Sequence, residues 1–262
     1  MSIEQSSTMA ELVHLERADG VARIILDSPH NRNALSAQLR SELQVQLAVT
    51  LDDDDVRVIV LGHRGSVFCA GADLKEVGSV RTGVSAPEFT EILRAILHSP
   101  KPVVAQVEGP ARAGGLGLIA ACDITIGSSS ATFALSEVRI GVVAAVISMT
   151  LLPRMLPHVA QELFLTGETF DASRAVEVGL LNRAVPPDEV SAEVDRYCKM
   201  LVRGAPGALA STKKMLASRG GQGIEEGFAE MEALSAAHFA SDEGREGVAA
   251  FVDKREPNWI PH

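Results

Sequence analysis

Apolar residues recur every fourth position at Leu39, Leu43, Leu47 and Leu51. That spacing draws one apolar stripe along a helix, and Ser36 stands where a helix start needs an acceptor for its free N–H groups. Upstream, residues 11–27 read as two short strands around Ala18-Asp19-Gly20, a hairpin turn. Residues 56–61 form an unbroken apolar run of strand length. The stretch GHRGSVFCAGADLKE after it reads as a second strand, a glycine-containing turn and a helix. Residues 78–86 are small and polar, as in a loop, and 87–98 are helical in pattern. With a strand at 124–126, this alternation up to about Ser148 predicts an α/β core. The second half is mostly helical. Asp171 can cap a helix that Gly179 ends, and 180–185 is a short strand. Amphipathic helices follow at 187–202, 205–218 and 224–240, and Ser241 can cap a last one running through Phe251. The change of pattern at 203–206 divides the chain into a core, 1–203, and a C-terminal helical module, 204–262. Residues 1–10 read as a frayed tail.

One stretch, 101–123, organises the rest: KPVVAQVEGPARAGGLGLIAACD. Its apolar run 103–107 has the length of a buried strand, and Glu108-Gly109-Pro110 breaks it. Gly114 and Gly115 then precede a run of Leu, Ile and Ala that reads as a buried helix. Glycines here let the backbone come close to a ligand and leave free N–H groups at a helix start, where negative charge is favoured. A main-chain anion or oxyanion site is one reading. A tight turn between two core elements is the other, and spacing alone leans toward it.

Composition narrows the class. Hydrophobic residues make up 46% of the 262 and charged residues 22%, as in globular proteins. The formal net charge of -10 argues against nucleic acid or an anionic membrane as partner, since both reward clustered Lys and Arg. Cys69, Cys122 and Cys198 are too few and scattered for a disulfide framework, and no Cys-x-x-Cys pair signals a metal. Reduced thiols in the cytoplasm are the expected state. The N-terminus lacks the apolar core of a signal peptide, and no apolar run reaches membrane-spanning length. The Asp52-Asp53-Asp54-Asp55 run lacks the glycine and terminal Glu of a calcium loop and reads as a solvated turn.

Several separated motifs then agree in order and spacing: RNALS at 32–36, FCAGADLKE at 68–76, KPVVAQVEGPARAGG at 101–115, and LSEVRIG, LTGETFDASRAVEVGLLNRAVP and GVAAFVDKREPNW further on. Through them the chain resembles the crotonase superfamily, the enoyl-CoA hydratases and isomerases. The resemblance implies a spiral of ββα units with a C-terminal helical module used in trimerisation, as trimers or dimers of trimers. It implies an acyl-CoA thioester as substrate, with no cofactor beyond the CoA the substrate carries and no metal. It places Ala72 and Gly114 as the two backbone donors to the thioester oxygen, where such donors stabilise a developing enolate by several kcal/mol. It matches Arg32 and Lys254 to cations near CoA phosphates, against the alternative of two solvated charges. Ala70, Asp73 and Leu74 match the groove for adenine and pantetheine, with Ala34, Gly115 and Gly117 beside it. Phe251 matches a position that can reach a neighbouring subunit's CoA.

One departure matters. Two-carboxylate hydratases of this family carry a Glu shortly after the Gly-rich turn and a second Glu further on. Here the first position is Gly117; the second is Glu137, preceded by Ser136. Between Phe133-Ala134-Leu135 and Val138, Glu137 can have a raised pKa suited to proton transfer. One carboxylate suffices for isomerisation and, acting twice, for hydration. FALSEVRIGVVAAVIS is similar to hydratases of the methylglutaconyl-CoA type and tilts the expectation to hydration. Arg112 and Arg139 are the nearest cations for a carboxylated acyl chain, and residues 142–149 are expected to shape the acyl end. Some superfamily members bind RNA, but the chain's acidity and lack of Lys/Arg runs oppose that reading.

Overall fold

The computed structural model describes residues 10–76, 88–217, 237 and 241–260. The loop read at 78–86, residues 1–9 of the tail and nearly all of the helix read at 224–240 lie outside the described residues. β1 (Val13–Ala18) and β2 (Val21–Leu26) form the expected hairpin. Its turn residues Asp19 and Gly20 both have positive φ, 52° and 74°, as a two-residue turn requires. β3 (Val58–His63) lies parallel to β2, and β4 (Val103–Val107) parallel to β3. β3 and β4 are near-continuous Val, Ile, Leu and Ala because a parallel sheet is covered on both faces. After β5 (Ala111–Arg112), β6 (Ile124–Ser128) joins β4. β7 (Thr132–Ala134), β8 (Thr169–Asp171) and β9 (Arg183–Val185) complete the set. One sheet runs β1-β2-β3-β4-β6-β9 and a smaller one β5-β7-β8.

The two sheets make the repeat visible. β4 in the large sheet is followed by β5 in the small one and then by helix α3 (Gly114–Ala121). β6 is followed by β7, the short 3-10 helix Ser136–Ile140 and α4 (Ala145–Leu151). β3 is followed by a single bridge, Cys69 to Ala111 of β5, before α2 (Phe89–Leu97). The second strand expected after β3 is thus reduced to one bridge. Gly71 at φ +89° leaves the extended conformation only two residues later, so no ladder can grow there.

Helix α1 (Ala37–Asp52) starts as expected: Ser36 Oγ accepts the Leu39 N–H at 3.3 Å, and Leu39, Leu43 and Leu47 are buried. α5 (Pro157–Thr166) and α6 (Ala172–Glu177) follow. Asp171 caps α6 through the Arg174 N–H, and Gly179 at φ +84° ends that segment. α7 (Val190–Leu201), α8 (Pro206–Ala217) and α9 (Asp242–Asp253) close the described chain. α8 is fixed to the core by Lys213. Its Nζ donates to Asp123 Oδ2 at 2.7 Å and to the carbonyls of Ile96 and Lys101. Asp123 Oδ2 also accepts the Val103 N–H at the start of β4. Lys213 is only 12% exposed, and its three oxygen partners satisfy the ammonium that burial strips of water. This pair crosses residue 203, so the helical module and the core share a buried charge network.

His63, at the end of β3, is largely buried edge-on against Phe68, with Nε2 accepting the Glu108 N–H at 3.1 Å. That bond needs a neutral nitrogen, and burial holds the imidazole below its ordinary pKa. The unfolded chain therefore takes up a proton first as pH falls below about 6.5, and stability drops with it. Urea titrations of wild type and His63→Gln at pH 8 and pH 5.5 check this. The wild type should lose more stability than the variant on acidification.

Candidate active site

Three turns meet at one edge of the small sheet. The Leu35 N–H bonds to the Gly71 carbonyl at 2.8 Å, and the Ala70 N–H to the Arg32 carbonyl at 3.0 Å, tying residues 32–35 to 70–72. The Arg112 N–H bonds to the Cys69 carbonyl at 2.9 Å, tying the same turn to β5. A Cβ on Gly71 would fall 2.8 Å from Ala113 Cβ, 3.2 Å from the Arg112 carbonyl and 3.4 Å from the Gly114 nitrogen. The 71–72 and 113–114 turns therefore abut, and only glycine fits at 71. Ala113 itself has φ 49° and ψ -118°, a conformation suited to glycine, with a strain of about 1–3 kcal/mol at the residue before the Gly114 amide. Gly114 opens α3, where first-turn N–H groups have no partner within the helix. Among the described residues neither the Ala72 nor the Gly114 N–H has a protein acceptor.

The carboxylate arrives from the next repeat. The Ala113 N–H bonds to the Ala134 carbonyl of β7 at 3.1 Å, and the 3-10 helix carrying Glu137 starts two residues later. Gly141 at φ +74° ends that helix, and the Val142 N–H returns to the Glu137 carbonyl. Gly167, ending α5, supports it from behind; a Cβ there would lie 3.1 Å from the Leu135 carbonyl and 3.2 Å from Val138 Cγ2. Glu137 is half-buried, and its Oε2 is shielded from water without a hydrogen-bond partner. Desolvation raises its pKa, so it holds a proton at higher pH than a free carboxyl does.

The opposite wall is apolar. A Cβ on Gly117 would lie 2.5 Å from Ile147 Cγ2 and 3.6 Å from Phe89 Cε1. A Cβ on Gly114 would meet Leu35 Cδ1 at 2.7 Å and the same Phe89 carbon at 3.6 Å. Phe89 thus lies along one face of the first turn of α3, and Ile147 fills the space outside Gly117. The site offers two unclaimed backbone donors and one partly desolvated acid beside hydrocarbon. Such a set can stabilise an oxyanion and move a proton.

Comparison with known proteins agrees. Residues 16–261 match the enoyl-CoA hydratase/isomerase family model. The chain belongs to the enoyl-CoA hydratase/isomerase family. A solved enoyl-CoA hydratase from Mycobacterium avium is 43% identical, with TM-score 0.73, over 96% of this chain and 100% of that one. One from Shewanella pealeana is 30% identical, with TM-score 0.88, over 95% of this chain and 96% of that one. Carnitinyl-CoA dehydratase of Citrobacter koseri is 31% identical, over 96% of this chain and 99% of its own length. The mixed α/β architecture is that of the crotonase-fold structures.

The site residues expected for a member of this hydratase/isomerase family divide into groups. Arg32, Ala34, Ala70, Ala72, Asp73 and Leu74 come together through the bonds above and through Asn31 Nδ2 donating to Asp73 Oδ2. Ala34 is buried, Arg32 is exposed, and Leu74 is 61% exposed although apolar. Gly114, Gly115 and Gly117 share α3, and Gly115 is pressed against the Cys69 carbonyl. Lys254 is exposed at φ 54°, just after α9. Phe251 falls in α9, but its side chain lies outside the described residues. Arg112 spends its guanidinium on the Ala111 carbonyl and on the carbonyl and hydroxyl of Thr132. Arg139 is exposed, with Nε donating to the Thr166 carbonyl at 3.4 Å. Burial pushes the Cys69 and Cys122 thiols up to about 12, so neither is a nucleophile at neutral pH. Leu35 and Phe89 escaped the sequence reading because apolar residues at helical spacing look like ordinary core, while Ile147 falls within residues 142–149, expected to shape the acyl end, and lies against Gly117.

Gly71→Ala tests the abutment. The added methyl meets two backbone segments and an unfavourable φ. A stability loss on the order of 1–3 kcal/mol is expected in urea unfolding, with a parallel loss of thioester binding. Wild-type stability and affinity in this variant would show that the turns are not held this tightly.

Proposed function

We propose that this family member hydrates the double bond of a 2-enoyl-CoA thioester through an enolate. The Ala72 and Gly114 N–H groups donate to the thioester oxygen. Glu137 takes a proton from water as the hydroxyl adds to the β-carbon, and then returns that proton to the α-carbon. Net change is one water gained, and no group beyond the substrate's own CoA is consumed. Arg32 and Lys254 supply charge for the CoA phosphates, Ala34, Ala70, Asp73 and Leu74 the groove, and Phe251 an aromatic face for CoA, in this reading. The observation that supports it is the partly desolvated Glu137 carboxyl, whose Oε2 has no partner, on the element that follows the β7 strand bonded to the Ala113–Gly114 turn. Because Arg112 is committed to β5 and β7, a plain or branched apolar acyl chain is favoured over a carboxylated one.

A second reading is double-bond isomerisation, with Glu137 as the single base. The hydrocarbon packed on Gly117 favours it, since no second carboxylate stands there to hold water. Mass spectrometry on a panel of 2- and 3-enoyl-CoA esters separates the two. Gain of one water reports hydration, and unchanged mass with a moved double bond reports isomerisation.

Glu137→Gln should lower turnover at least about 100-fold, the usual scale of general acid–base catalysis, with thioester affinity little changed. Turnover near wild type in the folded variant would remove Glu137 from the mechanism. The raised pKa adds a stability test. A carboxyl held protonated in the fold contributes fully at pH below its unfolded value, and the contribution is lost as pH rises through the folded one. Glu137→Gln should therefore gain stability over wild type at pH 8 relative to pH 4.

Self-association as a trimer or dimer of trimers belongs to the same proposal. Val143, Met149 and Leu165 are 78%, 74% and 76% exposed, large apolar side chains that a monomer would leave wet. Light scattering should give a mass of three or six chains; a stable monomer at working concentration would overturn this. The cytoplasm is the proposed compartment, in keeping with three free, buried cysteines.

A further inference from the structure

The site has one feature that its proposed acid–base chemistry leaves unused: the hydrocarbon over Gly117. Ile147 is 4% exposed, and its Cγ2 lies where any side chain at 117 would start. It is held there by more than packing. Thr150, one turn further along α4, donates its hydroxyl to the Gly117 carbonyl at 3.2 Å and to the Ile147 carbonyl at 3.0 Å. That bond fixes α4 against α3 at this level. Phe89 closes the remaining side, since one ring carbon lies 3.6 Å from the Cβ positions of both Gly114 and Gly117. The wall therefore begins at the candidate oxyanion donor and runs one turn along α3. A water molecule needs two to four polar partners to be held in a buried site, and Ile147 and Phe89 offer none.

We propose that Ile147, positioned by Thr150, and Phe89 keep water off the α3 side of the reacting carbons and so set the partition between water addition and double-bond migration. The inference rests on the enolate reading above. In migration, Glu137 removes a proton from C2 of a 3-enoyl thioester and returns it to C4, with no atom gained. In hydration, hydroxyl adds to C3 and a proton to C2 of the 2-enoyl thioester. Both use Glu137; only hydration needs a water beside C3. Access to that water is what the wall controls.

The test uses the full chain and a short 3-enoyl-CoA in deuterated buffer. Mass spectrometry reads the ratio of hydrated to migrated product, with deuterium expected at C2 of the hydrated one. Wild type, Ile147→Ala, Ile147→Ser and Phe89→Leu are compared, with circular dichroism confirming fold. The Ile147 variants should raise the hydrated-to-migrated ratio about tenfold, the scale of discrimination that one or two carbon groups give a pocket. Phe89→Leu, which keeps hydrocarbon but loses the ring, should raise it less. Should Ile147→Ala fold poorly, Thr150→Val keeps Ile147 and removes only its anchor, and it should shift the ratio in the same direction. A ratio unmoved in every folded variant, with turnover still lost in Glu137→Gln, overturns the wall while sparing the enolate. Turnover of the 2- and 3-enoyl esters that survives Glu137→Gln overturns the enolate reading and this inference with it.

Discussion

The structure depends on one close approach, that of the Gly71–Ala72 turn to the Ala113–Gly114 turn. Two backbone segments from different repeats can come this near only if a side chain is missing between them, and Gly71 supplies that absence. The approach is not local chemistry. It follows from the order of the sheets: the parallel strands β2, β3, β4 and β6 end on the same side, and the segments after β3, β4 and β6 are spaced by the pairing of Cys69 with Ala111 and of β5 with β7. Adjacent strands lie about 4.8 Å apart, so amides on neighbouring turns fall within reach of one small atom. The strained φ of Ala113 is a cost of this arrangement, and the hydrogen bond from its N–H to Ala134 helps hold it.

The same bond ties the turn before the Gly114 amide to the strand that leads to Glu137. Ala134 receives the Ala113 N–H, and only Leu135 then stands before the 3-10 helix that carries Glu137. A 3-10 helix is tighter than an α-helix, and here it is braced by Gly167, whose missing side chain makes room for the Leu135 carbonyl and Val138. The acid is thus mounted on a short, buttressed element. Its raised pKa comes from lost hydration, not from a neighbouring negative charge. Because water is the only competitor displaced, whatever occupies the site sets the proton affinity of Glu137 by how far it completes the desolvation.

Much of this was legible in the sequence, for identifiable reasons. The β1–β2 hairpin, the Ser36, Asp171 and Ser241 caps and the glycine stop at Gly179 obey local rules, and local rules act within a few residues. The turn at Gly114 was visible as glycine between strand and helix, yet its partner Gly71 was not, because abutment is a long-range fact. The strand expected after β3 was lost for the same reason: its apolar residues Phe68 and Cys69 serve a second sheet with a single bridge. Phe89 was invisible as a site residue, and Ile147 was visible only as one of the stretch 142–149. Their periodicity matches any buried helix, and only the position of Gly117 beneath them gives them a role.

Gly117 and Ile147 are best understood as one unit. A carboxylate side chain at 117 would start 2.5 Å from Ile147 Cγ2, so Ile147 must shift to admit it, while the Thr150 bond to the Gly117 carbonyl holds α4 close. Conversely, truncating Ile147 above a glycine leaves an apolar void, with a cost that grows with cavity volume. Each residue makes the other necessary. Changing the number of carboxylates in this site therefore takes at least two substitutions in contact, whose effects do not add. The absence of a carboxylate on the α3 face is built into the packing between α3 and α4, and it leaves Glu137 as the one carboxylate to which proton chemistry is proposed to fall.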